Sequence, residues 1–110
     1  MRRRLGHDDE LIAELCGIFL ADYLSQLADL ERAIDRCDLP DAGAHAHRLK
    51  SSAANLSAAA VVSAAAALED AAERGDAQSI PGQFATLALE IDGLVADLRV
   101  VVDRVDGPLR

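Results

Sequence analysis

Apolar residues recur along this chain at the three- and four-residue spacing of an α-helix, and no segment shows the alternation typical of a β-strand. The clearest stripe consists of Tyr23, Leu27, Leu30, Ile34 and Cys37. This spacing gathers side chains on one face of a helix, where they can be buried together. The pattern therefore predicts an all-α protein.

Boundary signals divide the pattern into a short helix and four longer ones. The short helix begins near His7-Asp8-Asp9 and ends in a bend near Leu20 to Asp22. The longer helices run from Tyr23 to Cys37, from Pro40 or Asp41 to about Leu56, from about Ala58 to Arg74, and from Phe84 to Val105. Short connections favour antiparallel neighbours. We therefore expect an antiparallel up-down-up-down four-helix bundle with a short extra N-terminal helix, in a single domain over residues 1–110 with an ordered core of about 8–105.

The composition agrees with closely packed helices and limits the partners. Hydrophobic residues make up 51% of the chain and aromatic residues only 3%, so Ala, Leu and Val do the packing. The formal net charge of −8 argues against a nucleic-acid partner, and the basic run Arg2-Arg3-Arg4 is interpreted as a solvated tail. We find neither a signal peptide nor the roughly 18–20 apolar residues that span a bilayer. We therefore expect a cytoplasmic protein without a membrane partner.

Cysteines and histidines are too few and too scattered for a metal site. Cys16 and Cys37 both fall on apolar stripes, which predicts two buried thiols in a reducing compartment. His45 falls at the edge of a buried face and is interpreted as a packing residue, and His7 as a solvated one. No metal or cofactor is expected in this chain.

His47 is the candidate for chemistry. The second of the predicted long helices, from Pro40 or Asp41 to about Leu56, has an apolar stripe of Ala42, Ala46, Leu49, Ala53 and Leu56. His47 points almost directly away from this stripe, and Lys50, Ser51 and Ala54 share its exposed face. The geometry alone predicts a solvent-facing imidazole with a lysine one turn away.

Such an imidazole can act as a nucleophile toward phosphorus, because a free imidazole has a pKa of about 6.5 and is largely neutral near pH 7. Lys50 can offset the charge of phosphoryl oxygens. Ser51 and Ala54 are small, which leaves the ring accessible to another protein. On the residues alone, an idle surface histidine remains an alternative.

The segment AHRLKSSAANLSA, which begins at Ala46, resembles the signature of histidine-containing phosphotransfer (HPt) domains, approximately A-H-x-L-K-G-S-A-x-N-L-G-A. The later segment ALEDAAERGD, which begins at Ala67, resembles the family's LE-x-A-x-x-G-D continuation. The resemblance covers nearly the whole chain and implies that His47 is phosphorylated, with Lys50 as its electrostatic partner. Ser51 and Ser57 stand where the family commonly has glycine, so the end of the helix near Ser57 stays open.

The resemblance implies a phosphoryl carrier and not an enzyme, and the chain has no GxxxxGK[ST] loop for ATP. The implied partners are response-regulator receiver domains and hybrid histidine kinases, with a phospho-aspartate and Mg²⁺ supplied by the receiver. We expect a monomer. The predicted docking surface consists of Arg48, Ser51 and Ala54, together with Leu20, Leu24 and Gln26, although Leu20 and Leu24 could equally belong to the core.

Two other functions fit parts of the pattern. One is the phosphoacceptor dimerisation domain of a sensor kinase, in which an acidic residue usually follows the histidine and a proline comes later. Here Arg48 follows, and no proline comes between His47 and Pro81. The other is a helical adaptor without phosphoryl chemistry, in which His47 is incidental.

Overall fold

The computed structural model describes residues 6–106, which form four α-helices and no strand. The helices are α1 (Gly6–Asp35), α2 (Leu39–Asn55), α3 (Ala59–Arg74) and α4 (Ile80–Asp106). Each helix packs against its neighbours in the chain, and α1 also packs against α4. The all-α class is confirmed, and the up-down-up-down order stays a prediction. The predictions for Arg2-Arg3-Arg4 and for the side chain of His7 lie outside the described residues.

The first helix, α1, is continuous where two helices were predicted. The break near Leu20 to Asp22 is wrong, because those residues include neither glycine nor proline and nothing interrupts the backbone hydrogen bonds. Phe19 and Tyr23, on either side of the predicted break, stack with ring centroids 5.9 Å apart. There is accordingly no separate short N-terminal helix in the described residues.

Capping residues define the ends of α2 and α3. Asp38 precedes α2, and its side chain accepts a hydrogen bond from the backbone N–H of Asp41 at 3.1 Å. After α2 ends at Asn55, Ser57 adopts a φ of 56°, a left-handed conformation that glycine adopts most readily. Gly75 follows α3 with a φ of 72°, as predicted.

The two cysteines differ in their surroundings. Cys16 is buried, as predicted, and its burial raises the pKa of the thiol. Cys37 was also predicted to be buried, but it is exposed. The reason is that α1 ends at Asp35, and Cys37 has a φ of 58°, which takes it off the helical stripe.

The core lies between the four helices and is built from aliphatic side chains. The largest fully buried side chains include Leu30, Leu49, Leu68, Leu87 and Ile91. The α2 face toward this core consists of Ala42, Ala46, Leu49 and Ala53, as predicted, with half-buried Leu56 at its end. Three alanines on this face allow the neighbouring helices to approach closely, because interaxial distance depends on side-chain size at the contact.

One described helix, α1, is long and apolar enough to cross a membrane by length and composition, because an 18-residue window within Glu10–Asp35 has a mean hydropathy of 1.4. The sequence-based statement that no segment reaches this limit is wrong for α1. Core helices of soluble bundles pass the same test, and α1 contributes Phe19, Tyr23 and Leu30 to the core. The large apolar side chains that α1 leaves exposed are Leu11, Ile12, Ile18 and Leu24.

Candidate functional site

His47 lies in the middle of α2, and 58% of its side chain is exposed, which confirms the predicted solvent-facing imidazole. Its neighbours along the exposed side of α2 are Gly43, Ala44, Ser51 and Ala54. All four are small and leave room around the ring, and Lys50, one turn away, is the longer neighbour on this side of α2. The helix therefore presents His47 to an approaching molecule from several directions.

A glutamate of α3 fixes the orientation of this imidazole. Glu69 Oε2 lies 2.9 Å from His47 Nδ1, and Glu69 Oε1 lies 2.7 Å from Lys50 Nζ. Only 20% of the Glu69 side chain is exposed. One carboxylate thus holds both the histidine and the lysine, each through a different oxygen.

The electrostatics of the cluster favour an ionised Glu69. The hydrogen bond from Lys50 is the main cause that holds the pKa of Glu69 below its ordinary value, while partial burial acts in the opposite direction and the hydrogen bond with His47 adds to the lowering. An ionised carboxylate can only accept hydrogen bonds. His47 therefore donates through Nδ1–H, and in the neutral imidazole the lone pair lies on Nε2, which is the nitrogen left for chemistry.

A groove of about 680 Å³ lies beside His47 between α2 and α3. Its lining residues include Pro40, Gly43, Ala72 and Glu73. A Cβ added to Gly43 would lie 3.4 Å from the Cβ of Ala72, so the two helices are in close contact at the groove floor. Because these two small residues form the floor of the groove, the side of the imidazole that faces the groove stays open.

The neighbouring histidine has a different environment. Only 13% of the His45 side chain is exposed, as predicted for a partly buried packing residue, and its Nε2 lies 3.5 Å from Asp41 Oδ2. Arg48 lies 3.2 Å from His45 Nδ1 and donates to it. Arg48 is exposed with its guanidinium directed toward His45, and its place in the docking surface stays a prediction.

Of the α1 residues that were predicted to complete the docking surface, Leu24 and Gln26 lie on different sides of the helix, and the surface itself stays a prediction. Leu20 is partly buried and packs against the core. Gln26 lines a small groove between α1 and α2, which Ile18 and Asp22 also line. Leu24 is 66% exposed, but helical geometry places it on the opposite side of α1 from that groove. Ser51 and Ala54, by contrast, are exposed on α2 beside His47.

Glu69 is the site residue that the sequence reasoning did not identify as functional. It lies in the ALEDAAERGD segment, next to Leu68 of the buried stripe of α3. A carboxylate at the edge of a packed stripe needs a donor from a neighbouring helix. The position of Glu69 beside a buried leucine was the signal in the sequence that could have identified it. Which residue donates to it depends on how α2 and α3 pack.

The described residues thus form four helices around one core, with an exposed and hydrogen-bonded imidazole on α2. The family model of the Hpt domain matches residues 14–99, and the chain belongs to this family, as predicted. Hpt domains are phosphocarrier modules of two-component signalling that interact with receiver domains and histidine kinases. Comparison with curated proteins and with solved structures found no match.

Proposed function

We propose that this chain is a single, cytoplasmic Hpt domain that carries a phosphoryl group on Nε2 of His47 between receiver domains, with the helices in up-down-up-down order. The observation that supports it most directly is the contact between His47 Nδ1 and Glu69 Oε2, since it leaves Nε2 of an exposed ring free. Lys50 lies one turn away and can approach the transferred group.

The transfer step needs no proton movement within this chain. The Nε2 lone pair attacks phosphorus in line, a P–N bond forms, and the P–O bond to the aspartate of the receiver breaks. The electron pair leaves with the aspartate carboxylate. The imidazole becomes positively charged while its Nδ1–H still donates to Glu69, and the negative carboxylate stabilises that charge.

The other parts of the reaction belong to the partner. Hpt domains interact with receivers and histidine kinases, and the proposal assigns the phospho-aspartate and the Mg²⁺ to the receiver. Mg²⁺ neutralises charge on the phosphoryl oxygens. This chain supplies the nucleophile, Lys50, Glu69 and a docking surface around Ser51 and Ala54, and it is a carrier without catalytic turnover of its own, nucleic-acid partner or membrane partner.

The test is transfer from a radiolabelled, phosphorylated receiver domain to the wild-type chain and to His47→Gln. We expect label on the wild type and none on His47→Gln, because glutamine has no nucleophilic ring nitrogen. His45→Gln is the matched control, since it makes the same change two residues away in the same helix. Equal labelling of the wild type and His47→Gln, or no labelling of the wild type by any phosphorylated receiver, would contradict the proposal.

A further inference from the structure

The surface of α4 that faces away from the bundle carries a second apolar stripe. Leu89 is 71% exposed and Val100 is 52% exposed. The full stripe consists of Gly82, Thr86, Leu89, Gly93, Ala96 and Val100, all of them exposed. Their spacing of four, three, four, three and four residues is the 3.5-residue repeat of a helix that packs lengthwise against another helix.

Gly93 has no packing role inside its own chain. A Cβ added there meets no atom within 4 Å, and its backbone is helical. Glycine in the interior of a helix lowers stability relative to alanine. Within one copy of the chain, glycine therefore has no advantage over alanine at position 93. A small residue is required, however, where a second helix crosses closely, because the distance between helix axes depends on the side chains at the contact.

The stripe is complementary to itself when two copies of α4 lie antiparallel. If Gly93 faces Ala96 of a second copy, Leu89 faces Val100 of that copy, and the reciprocal contacts follow from two-fold symmetry. Small residues then meet at the centre, Leu89 and Val100 meet on either side of it, and Gly82 and Thr86 lie beyond these four residues. This size pattern is the one that an isologous helix pair requires.

Charges beside the stripe support the same register. Asp92 and Arg99 are exposed along one edge, seven residues apart. In the antiparallel register, Asp92 lies opposite Arg99 of the second copy, which gives two pairs of opposite charge. Along the other edge, Glu90 lies opposite Asp97 of the second copy, and this repulsion keeps the affinity low.

We propose that the chain forms a weak homodimer through α4, about a two-fold axis between Gly93 and Ala96, in place of the monomer predicted from the sequence. Because α4 packs against α1 and α3 while His47 projects from α2, each His47 stays outside the interface. The dimer is independent of the proposed phosphotransfer. A chain that does not dimerise could still carry the phosphoryl group, and a chain that does not carry it could still dimerise.

Charge reversal tests the register. Sedimentation equilibrium of the 110-residue chain from micromolar to millimolar concentration compares the wild type with Asp92→Arg, Arg99→Asp and the double variant. Each single reversal replaces two attractive pairs by repulsive ones, so we expect the dimer dissociation constant to rise by about tenfold or more. The double variant restores opposite charges and should return to within about threefold of the wild type. A monomeric wild type at every concentration, or a double variant as weak as the singles, overturns the proposal.

Two further variants separate the interface from folding. Gly93→Gln adds bulk at the crossing and a better helix former, so the thermal midpoint should stay or rise while the dimer is lost. Asp97→Arg places an arginine opposite Glu90 and should lower the dissociation constant by about tenfold. A Gly93→Gln protein that dimerises like the wild type shows that α4 does not form the interface, and a weaker Asp97→Arg dimer shows that the register is wrong.

Discussion

The outer surfaces of α2 and α3 are rich in ion pairs, whereas those of α1 and α4 are rich in exposed apolar side chains. In the described part of the chain, the exposed large hydrophobic side chains are Leu11, Ile12, Ile18 and Leu24 on α1 and Leu89 and Val100 on α4. The ion pairs of His47 and Lys50 with Glu69 join α2 to α3, and Arg74 pairs with Asp70 on α3. The helices α2 and α3 hold the polar groups of the His47 site in defined positions, whereas α1 and α4 leave large apolar side chains in contact with water.

This contrast shows that the two kinds of surface depend on different contacts. Glu69 already satisfies the polar groups of the His47 site within one copy, so a single chain is enough to orient the imidazole. The exposed apolar groups of α1 and α4 gain nothing from folding, because they remain in contact with water. Substitutions in the two kinds of surface should therefore change different properties of the protein.

The largest effect separates buried from exposed leucines on one helix. Leu30 is 0% exposed and Leu24 is 66% exposed, both on α1. We expect Leu30→Ala to lower the free energy of unfolding by about 3 kcal/mol, because it loses burial and leaves a cavity. Leu24→Ala should change it by less than about 0.5 kcal/mol. Urea unfolding measures both, and a large loss in Leu24→Ala would show that the α1 surface is part of the core.

Lys50→Ala tests the ion-paired surface of α2 and α3. Lys50 can stabilise transferred phosphoryl oxygens, so its loss should slow phosphotransfer to His47 by about tenfold, which is about 1.4 kcal/mol in the barrier. Helix content, measured by circular dichroism, should stay unchanged, because Lys50 is partly exposed. Rapid-quench kinetics with a phosphorylated receiver measure the rate, and an unchanged rate removes Lys50 from the mechanism.

Ser51 and Ser57 stand where the family commonly has glycine. Substitution by glycine should change the free energy of unfolding in opposite directions at these two positions. Ser57 has a φ of 56°, so Ser57→Gly should raise the free energy of unfolding by about 1 kcal/mol by relieving the left-handed conformation. Ser51 lies inside α2, and Ser51→Gly should lower it by about 0.5 kcal/mol. Thermal unfolding of both variants is sufficient, and shifts of the same sign would contradict the backbone assignment of Ser57.

The smallest effect is the pH dependence of the Glu69 contribution. The pKa of Glu69 in the folded chain lies below its ordinary value of 4.5, so the stabilisation is fully present above pH 4.5 and is lost as the pH falls through the lower, folded value. Glu69→Gln should therefore cost about 0.5 kcal/mol at pH 7 and less at about pH 3. Denaturation at both pH values measures the difference in free energy of unfolding between the wild type and Glu69→Gln. This difference should not be larger at the acidic pH.

The sequence predicted features that depend on neighbouring residues and missed those that depend on packing. The beginning of α2 and the end of α3 follow from Asp38, Pro40 and Gly75, which act within one turn of the helix. The exposed position of His47 follows from the spacing of the α2 stripe. The contact of Glu69 with His47 and Lys50 depends on how α2 and α3 are rotated about their axes, which no local pattern determines.

The errors on α1 have the same origin. The segments before and after Leu20 were interpreted as two helices, whereas α1 is continuous and Leu11 and Ile18 do not fit its buried stripe. They do not fit because they are exposed, at 54% and 60%. A pattern that assumes every large apolar residue is buried in the same chain assigns such residues to the wrong face.

The short connection between α2 and α3 has a consequence for how the molecule forms. His47, Lys50 and Glu69 all lie on one helical hairpin, within 22 residues of each other in the chain. Contacts between such near neighbours form faster than those that close α4 against α1, since loop closure becomes slower with chain separation. The arrangement around His47 is therefore expected early in folding, before the bundle closes, and a hairpin with this property is a natural unit to transplant into another helical scaffold.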